Sequence, residues 1–233
     1  MRLGTDFKND ITSCILGAKG SGKSVLLAIM VYLFPGKCVL LDMLGVYNPE
    51  AKRKTAVIPN SYYFLTVKEF IKYYKDIPKN GKCVINMSEY IGEELIQAVD
   101  ALCKFLMDKK DDIALFSDEA ADFMPQQGKT SYWFHQLAKN GRNYGIQPIV
   151  FATQRPQSVD KSVFDLCDKF YISKQRAPRT VEYILDIVDA KGDKEMLHTI
   201  NQLQSRQFLV YDGDIEFMQV PNYPYAFAQR KRL

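Results

Sequence analysis

Four short stretches of this sequence carry residue types suited to a phosphorylated ligand. The first, Gly17-Ala18-Lys19-Gly20-Ser21-Gly22-Lys23-Ser24, fits the pattern G-x-x-x-x-G-K-[ST] at every fixed position. Glycines let a loop turn successive backbone N–H groups toward an anion, a conformation that bulkier residues oppose. In such a loop Lys23 reaches the β- and γ-phosphates, and the Ser24 hydroxyl is placed to ligate Mg2+. All eight residues are therefore candidate contacts for a nucleoside triphosphate, with ATP and Mg2+ as the expected pair.

The second stretch is Asp118-Glu119, at the end of the apolar run Ile113-Ala114-Leu115-Phe116-Ser117. Asp118 is the candidate metal carboxylate. Glu119, one residue on, is placed to polarise a water for attack on the γ-phosphate. The third is Gln154, after Phe151-Ala152-Thr153 and before Arg155-Pro156. A strand-end amide there can contact both the γ-phosphate and the attacking water, whereas its plainer role is that of a turn residue before proline. The fourth is Arg142 within Gly141-Arg142-Asn143-Tyr144-Gly145. This arginine is either a helix-end cation beside a C-cap or an arginine finger for a neighbouring subunit's γ-phosphate.

These residues need elements to hold them, and strand and helix signals alternate along the whole chain. Apolar runs at 11–16, 37–42, 82–86, 113–117, 149–154 and 169–173 read as buried strands. Helical spacing recurs at 24–34, 67–74, 93–110, 131–140, 180–188 and 194–203. Residues 45–60 read as a polar loop with a short apolar stretch at Ala56-Val57-Ile58. The segments 207–211 and 215–220, joined by Asp212-Gly213-Asp214, predict a C-terminal β-hairpin. The alternation predicts one α/β domain over 1–233, with a mainly parallel central sheet flanked by helices.

Composition sets the outer limits. The chain has 233 residues, 47% of them hydrophobic and 25% charged, which is ordinary globular material. No apolar run approaches a membrane span, and Met1-Arg2-Leu3-Gly4-Thr5-Asp6 lacks a signal-peptide core, so an intracellular, cytoplasmic protein that is not integral to a membrane is expected. Cys14, Cys38, Cys83, Cys103 and Cys167 are scattered through apolar patterns and read as reduced core residues. With only His135 and His198 available, a zinc site is not expected. A net charge of +4 does not by itself indicate a polyanion partner. The basic clusters 52–54, 174–179 and 229–233 are either solvated loops or tails, or nucleic-acid contacts.

Taken together, residues 17–24, 115–120, 135–145 and Ala152-Thr153-Gln154-Arg155-Pro156 resemble the FtsK–HerA superfamily of ring-forming, DNA-pumping ATPases. The resemblance implies a RecA-like P-loop NTPase fold of the additional-strand, catalytic-glutamate type. It implies Gln154 as a γ-phosphate sensor and Arg142 as a finger acting across subunits. It also implies double-stranded DNA as partner and assembly into a hexameric or pentameric ring. The phosphate loop begins at Gly17, leaving no space for the N-terminal barrel of HerA-type translocases, and no membrane helices or winged helix of FtsK-type pumps are visible. A stand-alone core is most similar to the genome-packaging ATPases of tectivirus-like viruses. That likeness implies a packaging motor in host cytoplasm or virion, with a portal or virion membrane protein as a further partner.

Alternatives remain open at this level. A HerA- or conjugation-type DNA-processing ATPase shares the core, as does a nucleotide-switched morphogenesis protein of the zonular-occludens type. A small-molecule kinase is disfavoured because Glu119 beside Asp118 suits water activation. Lys19 is either solvent-facing or a second γ-phosphate cation, so the activating cation is one of Lys19, Arg142, Arg155 and Arg179. Tyr223-Pro224-Tyr225-Ala226-Phe227 is either a docking tail or packs back on the core.

Overall fold

A computed structural model describes residues 11–48 and 56–220. The basic runs 52–54 and 229–233 and the aromatic stretch 223–227 lie outside the described residues. The strands are β1 (Thr12–Leu16), β2 (Lys37–Asp42), β3 (Tyr62–Phe64), β4 (Lys82–Asn86), β5 (Ile113–Ser117), β6 (Ile146–Thr153), β7 (Lys169–Ser173), β8 (Gln207–Tyr211) and β9 (Ile215–Gln219). The helices are α1 (Lys23–Leu33), α2 (Val67–Tyr73), α3 (Glu93–Lys109), α4 (Tyr132–Asn140), α5 (Lys161–Phe164), α6 (Pro178–Ile187) and α7 (Lys194–Gln202).

Successive strand side chains point to opposite faces, and here both faces are apolar. In β1, Cys14 and Leu16 join one buried cluster while Ile15 joins the other. β2 divides Val39 and Leu41 from Cys38 and Leu40, and β5 divides Ile113 and Leu115 from Ala114 and Phe116. Burial on both sides explains why these strands read as continuous apolar runs rather than alternating ones. Helices α2 to α7 cover the first face, through residues such as Phe70, Val99, Leu137, Val163, Ile184 and Ile200. On the second face α1 supplies Leu26, Leu27, Ile29 and Met30, with Tyr47, Ala56 and Ile58 filling beside it. Burial pushes the Cys38 thiol up to about 12, and Cys14, Cys83 and Cys103 are likewise enclosed, as expected of unreactive core cysteines.

The described strands form one sheet in the order β3-β4-β2-β5-β6-β1-β7-β8-β9. Every pairing from β3 to β7 is parallel, and β8 and β9 add antiparallel at the end. The parallel strands therefore all finish at one edge, the carboxyl edge, where ligands of open α/β sheets bind. β6 lies between the strand leading into the phosphate loop and the strand carrying Asp118, with Leu16 opposite Thr153 and Ser117 opposite Phe151. This inserted strand defines the additional-strand class expected from the sequence.

Several boundaries differ from expectation. β3 was not anticipated: it is only three residues long and follows the polar segment read as loop. β6 starts at Ile146, earlier than the expected 149, and ends at Thr153, so Gln154 is the first residue beyond the strand. α6 starts at Pro178 rather than 180, because proline's fixed φ suits a first helical position. The one-turn α5 is too short to leave a periodic signal. Among the described residues, no helix is long and apolar enough to cross a membrane.

The fully buried Phe151 ring packs at 6.1 Å from Phe134 and 6.2 Å from Phe164. Phe151→Ala is expected to destabilise the fold by about 3–5 kcal/mol, read as a lower urea midpoint with an unchanged slope. A loss no larger than that of a surface substitution would contradict this packing.

Candidate nucleotide site

The phosphate loop connects β1 to α1 at the carboxyl edge. Gly20 and Gly22 have φ of 81° and 104°, the left-handed region that favours glycine. Gly17 is required for a different reason: a Cβ there would fall 2.4 Å from Ser21 Oγ. The Ser21 hydroxyl is buried and has no hydrogen-bond partner among the described residues. Lys23 is 6% exposed, and its Nζ donates to the carbonyls of Gly17 at 2.6 Å and Ala18 at 3.2 Å. Burial lowers its pKa, while Asp118 and Glu119 pull it back up. Ser24 is half-buried in the first turn of α1, and Lys19 is exposed.

Three carboxylates are buried at this edge: Asp118 and Glu119 act on the Lys23 ammonium, and Asp42 acts on Asp118. Asp118 is 1% exposed, and its Oδ2 has no partner among the described residues. Burial raises its pKa to about 7; Lys23 opposes the rise, and Asp42 and Glu119 add to it. Asp42 is fully enclosed at the end of β2 and accepts backbone N–H bonds from Val46 at 3.0 Å and Tyr47 at 3.1 Å. Burial still holds its pKa up at about 6. Those two bonds seat Tyr47 beside Ser24 and Asp118, and its buried hydroxyl finds no partner of acceptable geometry.

Glu119 has φ 50° and ψ 70°, a left-handed conformation uncommon for a residue with a side chain. That backbone turn carries its carboxylate across to β6, the inserted strand. There it accepts the Thr153 hydroxyl at 2.7 Å and the Gln154 backbone N–H at 3.1 Å. Thr153 Oγ1 in turn accepts the Arg155 N–H at 3.0 Å, so the β6 end and the acidic pair form one hydrogen-bonded unit. The Gln154 side chain, half-buried, makes no hydrogen bond within the described residues. Glu119, Asp118, Lys23, Gln154 and the phosphate loop thus meet at one edge.

The candidate cations are distributed differently. Arg142 lies in the turn Gly141–Tyr144 that precedes β6, at the opposite, amino edge of the sheet. It is remote from its own phosphate loop and lines a cavity of about 320 Å³ with Thr12, Lys139 and Asp168. Arg155 pairs with Asp122 at 2.7 Å, and Arg179 is exposed in the first turn of α6. Residues outside the four stretches also border the loop, among them Arg176 of the basic cluster 174–179. Arg176 donates to the Lys19 carbonyl at 3.3 Å, Ser205 Oγ to the Gly20 carbonyl at 3.0 Å, and the Arg206 N–H to the Ser21 carbonyl at 2.8 Å. Nothing in the local sequence of Ser205 and Arg206 marks them, because each contact spans more than 150 residues.

The donor set fits Mg2+ with a nucleotide. An unpartnered buried carboxylate oxygen, a helix-start serine and an excess of buried negative charge all favour a cation. Mg2+ bound with phosphates needs only one or two protein oxygens.

No protein-family model matches the chain. Protein P9 of Pseudoalteromonas phage PM2 is 25% identical over 158 residues, which is 66% of this chain and 64% of that protein. The match therefore spans just under two thirds of that relative's length. Among solved structures, the genome packaging NTPase B204 from Sulfolobus turreted icosahedral virus 2 in complex with AMP has a TM-score of 0.66 at 16% identity, covering 90% of this chain and 97% of that one. VirB4 of Thermoanaerobacter pseudethanolicus has a TM-score of 0.64 at 11% identity, covering 92% and 90%. At such identities the likeness is one of fold, and the fold is that of the genome packaging NTPase B204 and of VirB4.

Proposed function

We propose that the chain is an Mg2+-dependent ATPase that assembles as a ring and drives double-stranded DNA, acting as a viral genome-packaging motor. The observation that carries the ATPase reading is the Glu119 carboxylate, held by Thr153 and the Gln154 N–H one residue beyond the buried Asp118. The packaging reading is supported by the near-complete coverage of the packaging NTPase B204 and by the phage relative.

In this reading the loop N–H groups and Lys23 bind the phosphates, and Ser24 and Asp118 are the residues that would hold Mg2+. The metal, when bound, supplies charge neutralisation for the phosphates. Glu119 accepts the proton of the attacking water and is oriented by Thr153. Gln154, tied to Glu119 through its backbone, is placed to register the terminal phosphate. Arg142 serves a neighbouring copy, since it lies far from its own loop. Lys23 must release the Gly17 and Ala18 carbonyls to meet a phosphate, a change its three donor hydrogens and flexible stem allow.

Three outcomes test this. Glu119→Gln is expected to keep ATP affinity while turnover falls by at least about 10²-fold; normal turnover would remove the catalytic assignment. ATP hydrolysis is expected to rise with duplex DNA, and more at low salt than at high salt. Turnover indifferent to DNA, with no DNA binding at low salt, would sink the motor reading.

The third concerns pH. Asp118 has its folded pKa raised to about 7 from an ordinary 3.8, so the folded state holds a proton that the unfolded chain releases between those values. Stability therefore falls as pH rises through this window, and the full cost is present above it. Without Mg2+, Asp118→Asn is expected to unfold at a higher temperature than the parent at pH 8, with the gap narrowing toward pH 5. A gap independent of pH would contradict the buried, protonated state.

A further inference from the structure

The phosphate loop is braced from behind by a segment that no catalytic role explains. Ser205 and Arg206 form the turn between α7 and β8. Ser205 Oγ donates to the Gly20 carbonyl at 3.0 Å and the Arg206 N–H donates to the Ser21 carbonyl at 2.8 Å. Ser173 Oγ, at the end of β7, reaches the same Ser21 carbonyl at 3.3 Å and the Gln207 carbonyl at 2.9 Å. A phosphate-binding loop must aim its N–H groups at the anion and its carbonyls away from it. Anchoring the Gly20 and Ser21 carbonyls does this directly.

Two further features show that the turn is shaped for this contact. Arg206 adopts φ 67°, a left-handed conformation that non-glycine residues seldom take. Its Cα and Cγ would lie 3.2 and 3.1 Å from a Cβ at Gly22, so glycine at 22 admits the turn as well as the loop geometry. On its other side the Arg206 carbonyl accepts the Val220 N–H at 2.9 Å, at the end of β9. One residue therefore bonds to the phosphate loop through its N–H and to the end of the C-terminal hairpin through its C=O.

We infer that the Ser205–Arg206 turn is a positioning device that pre-sets the phosphate loop and couples its conformation to the end of the C-terminal hairpin at Val220. Ser205 acts through its hydroxyl and Arg206 through its backbone, and neither touches the reacting atoms. The inference rests on the nucleotide reading for its consequence, while the bracing itself does not.

Amide hydrogen exchange and ATPγS binding on the full chain test it. Without nucleotide, Ser205→Ala and Arg206→Val are expected to speed exchange at residues 18–24, since a β-branched residue opposes φ 67°. Ser205→Thr and Arg206→Gly are expected to stay near the parent. ATPγS affinity should weaken about 3- to 10-fold in Ser205→Ala, as for loss of one hydrogen bond. KM for ATP should rise with kcat unchanged. In the parent, ATPγS should slow exchange at Val220, and in Arg206→Val this effect should be lost. Parent-like loop exchange in both Ser205→Ala and Arg206→Val overturns the proposal. Equal damage from Arg206→Gly and Arg206→Val also overturns it, by assigning the effect to the guanidinium. If the parent binds no ATPγS, the nucleotide reading fails, and the nucleotide-free exchange still decides the role of the turn.

Discussion

At the carboxyl edge of the sheet one enclosed ammonium, Lys23, faces the enclosed carboxylates of Asp118 and Glu119, and Asp118 also faces the enclosed carboxylate of Asp42. Charges removed from water are costly unless paired, so this imbalance shapes everything around it. Asp42 spends its oxygens on the Val46 and Tyr47 amides, and Glu119 on Thr153 and Gln154. Among the described residues Asp118 Oδ2 has no hydrogen-bond partner, and burial raises the proton affinity of this carboxylate, with Asp42 and Glu119 adding to the rise. A cation relieves the excess, so the arrangement that destabilises the isolated chain favours a metal-bound phosphate. Function and local stability are set against one another at the same atoms, as at many active sites.

The inserted strand β6 is the mechanical centre of this arrangement. It sits directly between the strand that delivers the phosphate loop and the strand that delivers the acidic pair. Its last residue and the one after it grip the Glu119 carboxylate. A shift of β6 relative to β1 would therefore move Glu119 and Gln154 together. Glu119 and Gln154, proposed to activate water and to register the terminal phosphate, form a single body, anchored by rings such as Phe151 in the layer below.

Much of this was legible in the sequence, and the limits have physical causes. The phosphate loop could be read because each of its fixed positions has a steric or chemical requirement, and Gly17 and Gly22 show theirs in the structure. β1, β2, β4, β5 and β7 could be read because strands covered on both faces become unbroken apolar runs. Glu119 was legible from its place after β5, but its partner Thr153 was not, since a lone threonine in an apolar strand looks like ordinary β-propensity. β3 escaped because three residues leave no period to detect. Asp42 showed only as a strand-end acid, and its clasp on the 44–47 turn gave no pattern. Ser205 and Arg206 were invisible because they meet residues 20–22 only through tertiary folding.

The separation of Arg142 from the phosphate loop has a geometric consequence. The two sit at opposite ends of strands that run the same way, with the full eight residues of β6 between them. Two copies that used each other's Arg142 through a two-fold axis would close on themselves and go no further. A chain that instead lends its arginine to the next copy and borrows from the previous one must join amino edge to carboxyl edge, a head-to-tail contact that propagates until it closes. In such an assembly the strands point around the circumference, and every subunit faces the same way round the circle.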